Sequence, residues 1–257
     1  MKDRELVIWN LLNKVGVGTK WCVDLGALDG YRRSNTYRLI TEEGWEGVLI
    51  EANPLYFEKL QNLYAGNKNV HAFNEYVSFE GVTLDSILSR TPIPHDFDYL
   101  SIDIDGADYH VWDSFKNYKP RVVEIEFNPS FPNDITFVQP RDMTVFQGSS
   151  LRALNTLAES KGYRLVGISE GVNALFVRND LVPADAPTHI DQIYTDTTYQ
   201  TRLFQLYDGT LILDGQTNYI WHKQPITPPQ PRKYPMRVNN KAWMRRIRYL
   251  YHKLKGL

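Results

Sequence analysis

Between residues 20 and 180, short apolar runs alternate with stretches whose apolar residues recur at helical spacing. The runs are WCVDLG (21–26), EGVLIEA (46–52), VHAFNEYV (70–77), FDYLSIDID (97–105), RVVEIEFN (121–128), YRLVGIS (163–169) and NALFVRN (173–179). Helical stretches fall between them at 34–43, 54–65, 83–90, 107–116 and 149–161. Strand and helix alternating in this way predict βαβ crossovers and a mainly parallel sheet. Only Glu170, Gly171 and Val172 separate the last two runs, too few for a crossover helix, so an antiparallel hairpin is expected there. Ahead of the first run, Leu6, Ile8, Trp9, Leu11 and Leu12 lie at roughly helical spacing, which predicts a leading helix within residues 1–19.

The pattern changes after residue 180. Six prolines punctuate 181–231, with short strand candidates at 210–215 and 219–223; this segment reads as an irregular accessory region. In 232–257 the pattern turns helical again: Trp243, Ile247, Leu250 and Leu254 share one stripe, while Arg245, Arg246, Arg248 and Lys253 lie largely elsewhere around the helix. The expected organisation is an N-terminal helix (1–19), an α/β domain (20–180), an accessory segment (181–231) and a basic amphipathic tail (232–257).

Charge sharpens that division. The net charge of −1 hides nine of the 29 Lys and Arg in residues 232–257, whereas no Asp or Glu follows Asp214. The body therefore carries −10 and the tail +9. A body that acidic repels nucleic acid, so no nucleic-acid partner is expected. The tail fits either an anionic membrane surface or the acidic body of its own chain or of a partner subunit in a homo-oligomer. The single cysteine, Cys22, sits in an apolar run, and no long apolar stretch opens the chain. A cytoplasmic protein is expected, with peripheral membrane contact through the tail as the variant of that reading.

In open α/β sheets, ligands sit beyond the carboxyl ends of the strands near the topological switch point, and polar residues collect at those ends here. The first strand leads into Asp24-Leu25-Gly26-Ala27-Leu28-Asp29-Gly30, where glycines let the backbone approach a ligand. A carboxylate under that turn suits a cationic amino-acid moiety better than a pyrophosphate, and the turn lacks the full Gly-x-Gly-x-x-Gly of a dinucleotide site. Ser34-Asn35-Thr36 follow as a helix cap able to meet a carboxylate. The second strand ends in Glu51-Ala52-Asn53-Pro54, 27 residues after Asp24; an acid so placed accepts hydrogen bonds from a ribose diol. The fourth strand runs into Asp103, Asp105 and Asp108, three acids within six residues, which would repel one another without a cation, a proton or strong donors. On the fifth strand Glu124, Glu126 and Asn128 alternate onto one face.

The strings VDLGALDG, LIEANP, TLDSIL, DYLSIDIDGADYHVW and VVEIEFNP, with QGSSLRALNTLAESKGYRLVG and GVNALFVRNDL downstream, resemble the FkbM family of S-adenosylmethionine-dependent methyltransferases over about residues 20–180. The chain departs from the family's Asp-Val-Glu-Gly at Asp103-Ile104-Asp105-Gly106. The resemblance implies a Rossmann-like class I methyltransferase sheet, five parallel strands plus a terminal antiparallel hairpin, and O-methylation of a sugar, glycan or related small molecule. It implies that Asp24, Gly26 and Gly30 form the cofactor turn, that Asn35 meets the methionine end of S-adenosylmethionine, that Glu51 holds the ribose and that Asn74 lies near the adenine. Asp103 would face the methionyl amino group or the reacting centre, and Asp29 and Asn53 belong to the same two cofactor-binding turns.

A sugar hydroxyl is a poor nucleophile near neutral pH, and two ways of activating it are open. In one, His110 or Asp105 is the general base. In the other, a divalent cation held by Asp103 or Asp105 with Glu126 and Asn128 lowers the hydroxyl's pKa; oxygen ligands suit magnesium, calcium or manganese. The aromatic loop 129–149, with Arg141, is expected to contact the acceptor. The alternative function is a non-catalytic module of the same fold that holds nucleotide or glycan.

Overall fold

A computed structural model describes residues 2–32 and 34–218, together with Pro225 and Tyr251. Helix α1 (Lys2–Val15) buries Ile8, Leu12 and Val15, a spacing that places all three on one face. The chain then alternates through β1 (Trp21–Leu25), α2 (Tyr37–Thr41), β2 (Glu46–Ile50), α3 (Pro54–Leu63), β3 (Val70–Phe73), α4 (Leu84–Leu88), β4 (Tyr99–Ile102), α5 (Asp108–Ser114) and β5 (Val122–Glu126). It continues through α6 (Leu151–Lys161), β6 (Tyr163–Ser169), β7 (Asn173–Arg178) and the short α7 (Ile190–Ile193). The helix boundaries follow from local chemistry. Asn53 caps α3 with Pro54 behind it, Thr83 and Ser86 form a capping box on α4, and α6 starts on Ser150 and stops on Gly162 at φ +82°.

The seven strands lie in the order β3-β2-β1-β4-β5-β7-β6. The first five are parallel, and β7 runs antiparallel to both β5 and β6. This is the class I methyltransferase arrangement expected from the sequence. Strand alternation splits the core in two. Val23, Val48, Leu100, Val123 and Phe176 belong to one apolar cluster; Cys22, Leu49, Tyr99, Val122 and Val177 belong to the other, which α1 covers with Ile8, Leu12 and Val15. Burial pushes the Cys22 thiol well above its ordinary range, with Asp24 and Asp98 adding to the effect, so it is an inert core residue.

Register positions the site. Asp24 on β1 faces Ser101 on β4, and Ser101 faces Glu124 on β5. Two residues further along each strand, the chain reaches Gly26, Asp103 and Glu126. At the opposite, amino ends of the strands, fully buried Asp98 accepts the N–H groups of Gly18 and Lys20, each at 2.6 Å, and lies 3.4 Å from Arg121, tying the starts of β1 and β4 together.

Residues Met1–Thr197 form one compact unit and Thr198–Leu257 a second. The first unit runs past the 180/181 boundary drawn from the sequence, because Ile190 and Tyr194 are buried in its core. In the second, β8 (Thr201–Gln205) and β9 (Leu211–Gly215) pair as an antiparallel hairpin. The strand expected at 210–215 is β9, whereas β8 was not expected. The candidate at 219–223 and the basic helix of 232–257, Tyr251 apart, lie outside the described residues. Among the described residues no helix is long and apolar enough to cross a membrane.

Candidate active site

The strand order reverses between β1 and β4, and the chain is tightest there. Gly26 has φ +93°, and a Cβ on it would run into the carbonyl oxygen of Asp103, so glycine is required both for its torsion and for the close approach of the two strand ends. The N–H groups of Gly26 and Ala27 both donate to the carbonyl of Ile50, at 3.0 and 3.1 Å. Leu28 then takes a left-handed φ of +47°, which turns its N–H onto Oε2 of Glu51 at 2.8 Å. The other carboxylate oxygen, Oε1, accepts the N–H of Asn53 at 2.6 Å. Two backbone donors thus fix the Glu51 carboxylate, which is only 6% exposed.

A cleft of about 290 Å³ opens beyond these strand ends, lined by Gly26, Leu28, Asn35, Glu51, Asp103 and Asp105, with Tyr76, Met143 and Phe146 along its rim. Asn35, 4% exposed, donates its Nδ2 to Ser101 Oγ at 2.6 Å. Its Oδ1 is buried and has no hydrogen-bond partner among the described residues. An unsatisfied buried acceptor costs roughly 1–3 kcal/mol, which a donor from a ligand in the cleft would recover.

Other expected site residues serve the walls rather than the cleft. Asp24, 2% exposed, accepts Thr36 Oγ1 at 3.0 Å and Ser34 Oγ at 3.3 Å; it lies under the turn and holds the segment that carries Asn35. Asp29 accepts the N–H groups of Tyr31 and Arg32. Gly30, at φ +75°, offers its carbonyl to the Tyr64 hydroxyl. Asn53 caps α3 through the N–H of Leu55, and exposed Asn74 donates Nδ2 to the carbonyls of Glu51 and Ala52. These contacts shape the turns around the cleft, and none of the five residues lines it.

The acidic group divides in the same way. Asp103, Asp105 and Glu126 each present a carboxylate oxygen, all within 4.8 Å of one another, and Asp105 is held at a left-handed φ of +61°. Asp108 does something else. Its two oxygens accept the N–H groups of Ile104 and Gly106, each at 2.9 Å, so it shapes the loop that carries Asp103 and Asp105. Burial, opposed by those backbone hydrogen bonds and reinforced by the Asp105 charge, pushes its pKa up to about 6. Glu124 is buried between Tyr99 and Ser169, accepting both hydroxyls. Asn128 is committed to the loop after β5: Nδ2 donates to the Gln147 carbonyl at 2.7 Å, and Oδ1 accepts the N–H and Oγ of Ser130.

The structure also corrects the position of His110. It is 7% exposed and lies outside the cleft, its ring edge-on to Phe79 and Tyr109. Its Nε2 is 2.8 Å from the carbonyl of Gln139, an acceptor that requires Nε2 to carry a proton. Nor does Arg141 reach the cleft; it stacks over Phe79 at 4.5 Å and pairs with Glu80 at 3.6 Å. Sequence reasoning missed Gln139, 1% exposed, whose Nε2 donates to the Val145 carbonyl at 3.1 Å. Its Oε1 accepts the N–H groups of Gln147 and Gly148 at 3.2 and 2.9 Å. A lone glutamine in a polar loop carries no pattern that would single it out.

Residues 65–165 match the family model described as the methyltransferase FkbM domain. No curated protein matches the chain by sequence. Among solved structures, the chain is similar to the N-terminal domain of EvdMO1 determined in the presence of SAH and D-fucose, at 12% identity and TM-score 0.48, covering 69% of this chain and 82% of that one. It is also similar to an S-adenosylmethionine-dependent methyltransferase from Clostridium acetobutylicum, at 8% identity and TM-score 0.44, covering 69% of this chain and 91% of that one. Residues 65–165, from the segment before β3 to the start of β6, are thus similar to the FkbM methyltransferase domain, within a sheet whose strand order is the class I methyltransferase order.

Proposed function

We propose that this methyltransferase transfers the methyl group of S-adenosylmethionine to a hydroxyl of a sugar, glycan or related small molecule. The observation that carries the reading is the unpartnered Asn35 Oδ1, buried in the wall of a cleft whose charged groups are Glu51, Glu75, Asp103 and Asp105. Glu51, oriented by two backbone N–H groups, accepts the ribose hydroxyls. Asn35 and Asp103 receive the donors of the methionyl ammonium at the other end. The bound donor supplies a methyl on a positively charged sulfur, whose charge the surrounding carboxylates favour.

Transfer is an in-line displacement, so the chain's contribution is to align the acceptor and remove its proton. Asp105, in the cleft, is placed for that task and His110 is not. Asp103, Asp105 and Glu126 also form an oxygen donor set that suits magnesium or manganese; a cation held there would lower the hydroxyl's pKa and orient it. Both routes use Asp105. The protein is read as cytoplasmic, with the basic tail as its contact to an anionic membrane or a partner subunit.

Calorimetric titration with S-adenosylhomocysteine tests the reading directly. Micromolar binding by the wild type that weakens at least tenfold in Glu51→Ala is expected. Absence of binding by the wild type would leave the non-catalytic glycan-binding module as the better account.

A further inference from the structure

The proposed reaction leaves the far rim of the cleft without a role, and that rim is built with care. Tyr76 and Phe146 line it while remaining 59% and 62% exposed, so two large aromatic faces stand open to a ligand at one cleft. They come from different loops, and the Tyr76 hydroxyl joins the loops by donating to the Met143 carbonyl at 3.3 Å. Met143 itself lines the cleft.

Phe146 is held by what lies beneath it. Gln139 binds the backbone on both sides of it, through the Val145 carbonyl and the Gln147 and Gly148 N–H groups, and His110 holds Gln139 from below. Gly106 adds the last constraint: a Cβ there would come within 2.8 Å of the Val145 carbonyl and 3.2 Å of Phe146 Cα. The loop bearing Phe146 therefore rests directly on the loop between Asp105 and Asp108. The aromatic rim and the reacting carboxylates are set at a fixed distance by backbone contact.

The charge of the lining narrows the ligand. Among the described residues the cleft presents Glu51, Glu75, Asp103 and Asp105, and no Lys, Arg or His. Even with a divalent cation on Asp103, Asp105 and Glu126 and a cationic donor in place, carboxylates outnumber positive charges. A phosphate, sulfate or carboxylate on the acceptor would meet that excess of carboxylates with no Lys, Arg or His in the lining to pair with it; Arg90, outside the lining, is engaged by Glu75 at 3.1 Å.

We propose that Tyr76 and Phe146, positioned by Gln139, form the platform on which the acceptor lays the apolar C–H face of a ring, and that the acceptor is neutral or amino-bearing and excludes anionic sugars. This deepens the methyltransferase reading and rests on it. The test is a glycan array carrying the same backbones in neutral, amino, sulfated and uronate forms, probed with the full chain saturated with S-adenosylhomocysteine. Retention on neutral or amino forms, at least tenfold above the sulfated and uronate forms, is expected. Phe146→Ala, a change at an exposed side chain, should lower that retention at least tenfold while its calorimetric affinity for S-adenosylhomocysteine stays within twofold. Gln139→Ala should show the same split if it folds. Preferential retention of anionic forms, unchanged retention by Phe146→Ala, or no retained glycan would overturn the proposal while leaving cofactor binding intact. A wild type that does not bind S-adenosylhomocysteine would overturn both it and the reading beneath it.

Discussion

The N–H of Leu28 donates to Oε2 of Glu51 at 2.8 Å, and this hydrogen bond adds a side-chain link to the backbone bonds from Gly26 and Ala27 to Ile50 that join the turn after β1 to the end of β2. Leu28 makes it from a left-handed backbone, a conformation that costs a non-glycine residue roughly 1–3 kcal/mol. Asn53 supplies the second donor from the other side. Replacing Glu51 by Gln keeps the volume but turns an amide NH₂ toward one of these N–H groups. We expect Glu51→Gln to weaken S-adenosylhomocysteine binding by at least tenfold and to lower stability by about 1–2 kcal/mol, read by calorimetry and by denaturant unfolding. A variant with wild-type affinity would take the ribose contact away from Glu51.

Gly26 makes a sharper test, because two independent constraints fall on one atom. A methyl group there meets both an unfavourable φ of +93° and the carbonyl oxygen of Asp103. Gly26→Ala should therefore force β1 and β4 apart at their carboxyl ends. The expected loss is more than about 2 kcal/mol of stability, with cofactor binding reduced beyond detection in whatever folded protein remains. Unfolding curves with and without saturating S-adenosylhomocysteine measure both, and ligand stabilisation equal to that of the wild type would contradict the close packing at the switch point.

Asp108 gives the site a dependence on pH whose sign can be worked out. Burial pushes its folded-state pKa up to about 6, above the ordinary 3.8 of an unfolded chain, so the folded protein takes up this proton more readily than the unfolded chain. The carboxylate therefore costs stability above pH 6, on the order of 2–3 kcal/mol, and that cost fades as pH falls from 6 toward 3.8. The proton also weakens its grip on the Ile104 and Gly106 N–H groups. Affinity for S-adenosylhomocysteine should fall several-fold between pH 7 and pH 5, with a midpoint near 6. Asp108→Asn should bind more weakly at pH 7 and show no step there; a step that survives in the variant belongs to another group.

The three carboxylates of Asp103, Asp105 and Glu126 give a prediction with a readout independent of turnover. Titration of the chelator-treated protein with Mn²⁺ should show a single site that Asp105→Asn and Glu126→Gln each weaken at least tenfold. If catalysis uses that site, exhaustive chelation should also abolish methyl transfer and Mg²⁺ or Mn²⁺ should restore it. Full transfer activity after chelation would leave Asp105 acting as base without a metal.

What could be seen in advance follows from the range of each interaction. The strands, their order of appearance and the β6–β7 hairpin were legible because alternation and short loops are local properties, written as in Val122-Val123-Glu124-Ile125-Glu126. Glu51 and Gly26 were legible because a strand end fixes where they must lie. The acids after β4 were legible as a group but not in their separate tasks: Asp103 and Asp105 face the cleft, while Asp108 turns back to bind Ile104 and Gly106. Asp24, Asn74 and Asn128 carry plausible chemistry but spend it on neighbouring backbone or hydroxyl groups, and such pairings depend on torsions that residue types do not encode. Gln139 escaped for the opposite reason. Its importance arises entirely from five hydrogen bonds made after the chain has folded.

His110 separates a base from a support. A catalytic imidazole would give the pH profile of kcat a limb that disappears on substitution. The geometry gives a different expectation, since the Nε2 proton is engaged by the Gln139 carbonyl and the ring lies among Phe79 and Tyr109, away from the cleft. His110→Gln should cost about 1–2 kcal/mol of stability, as loss of a buried hydrogen bond and of ring packing does. Through Gln139 it should raise the acceptor KM several-fold, while kcat stays within about threefold of the wild type and its pH profile keeps the same shape. Loss of a limb from that profile, or a fall in kcat beyond a hundredfold at unchanged KM, would restore His110 as the group that takes the proton.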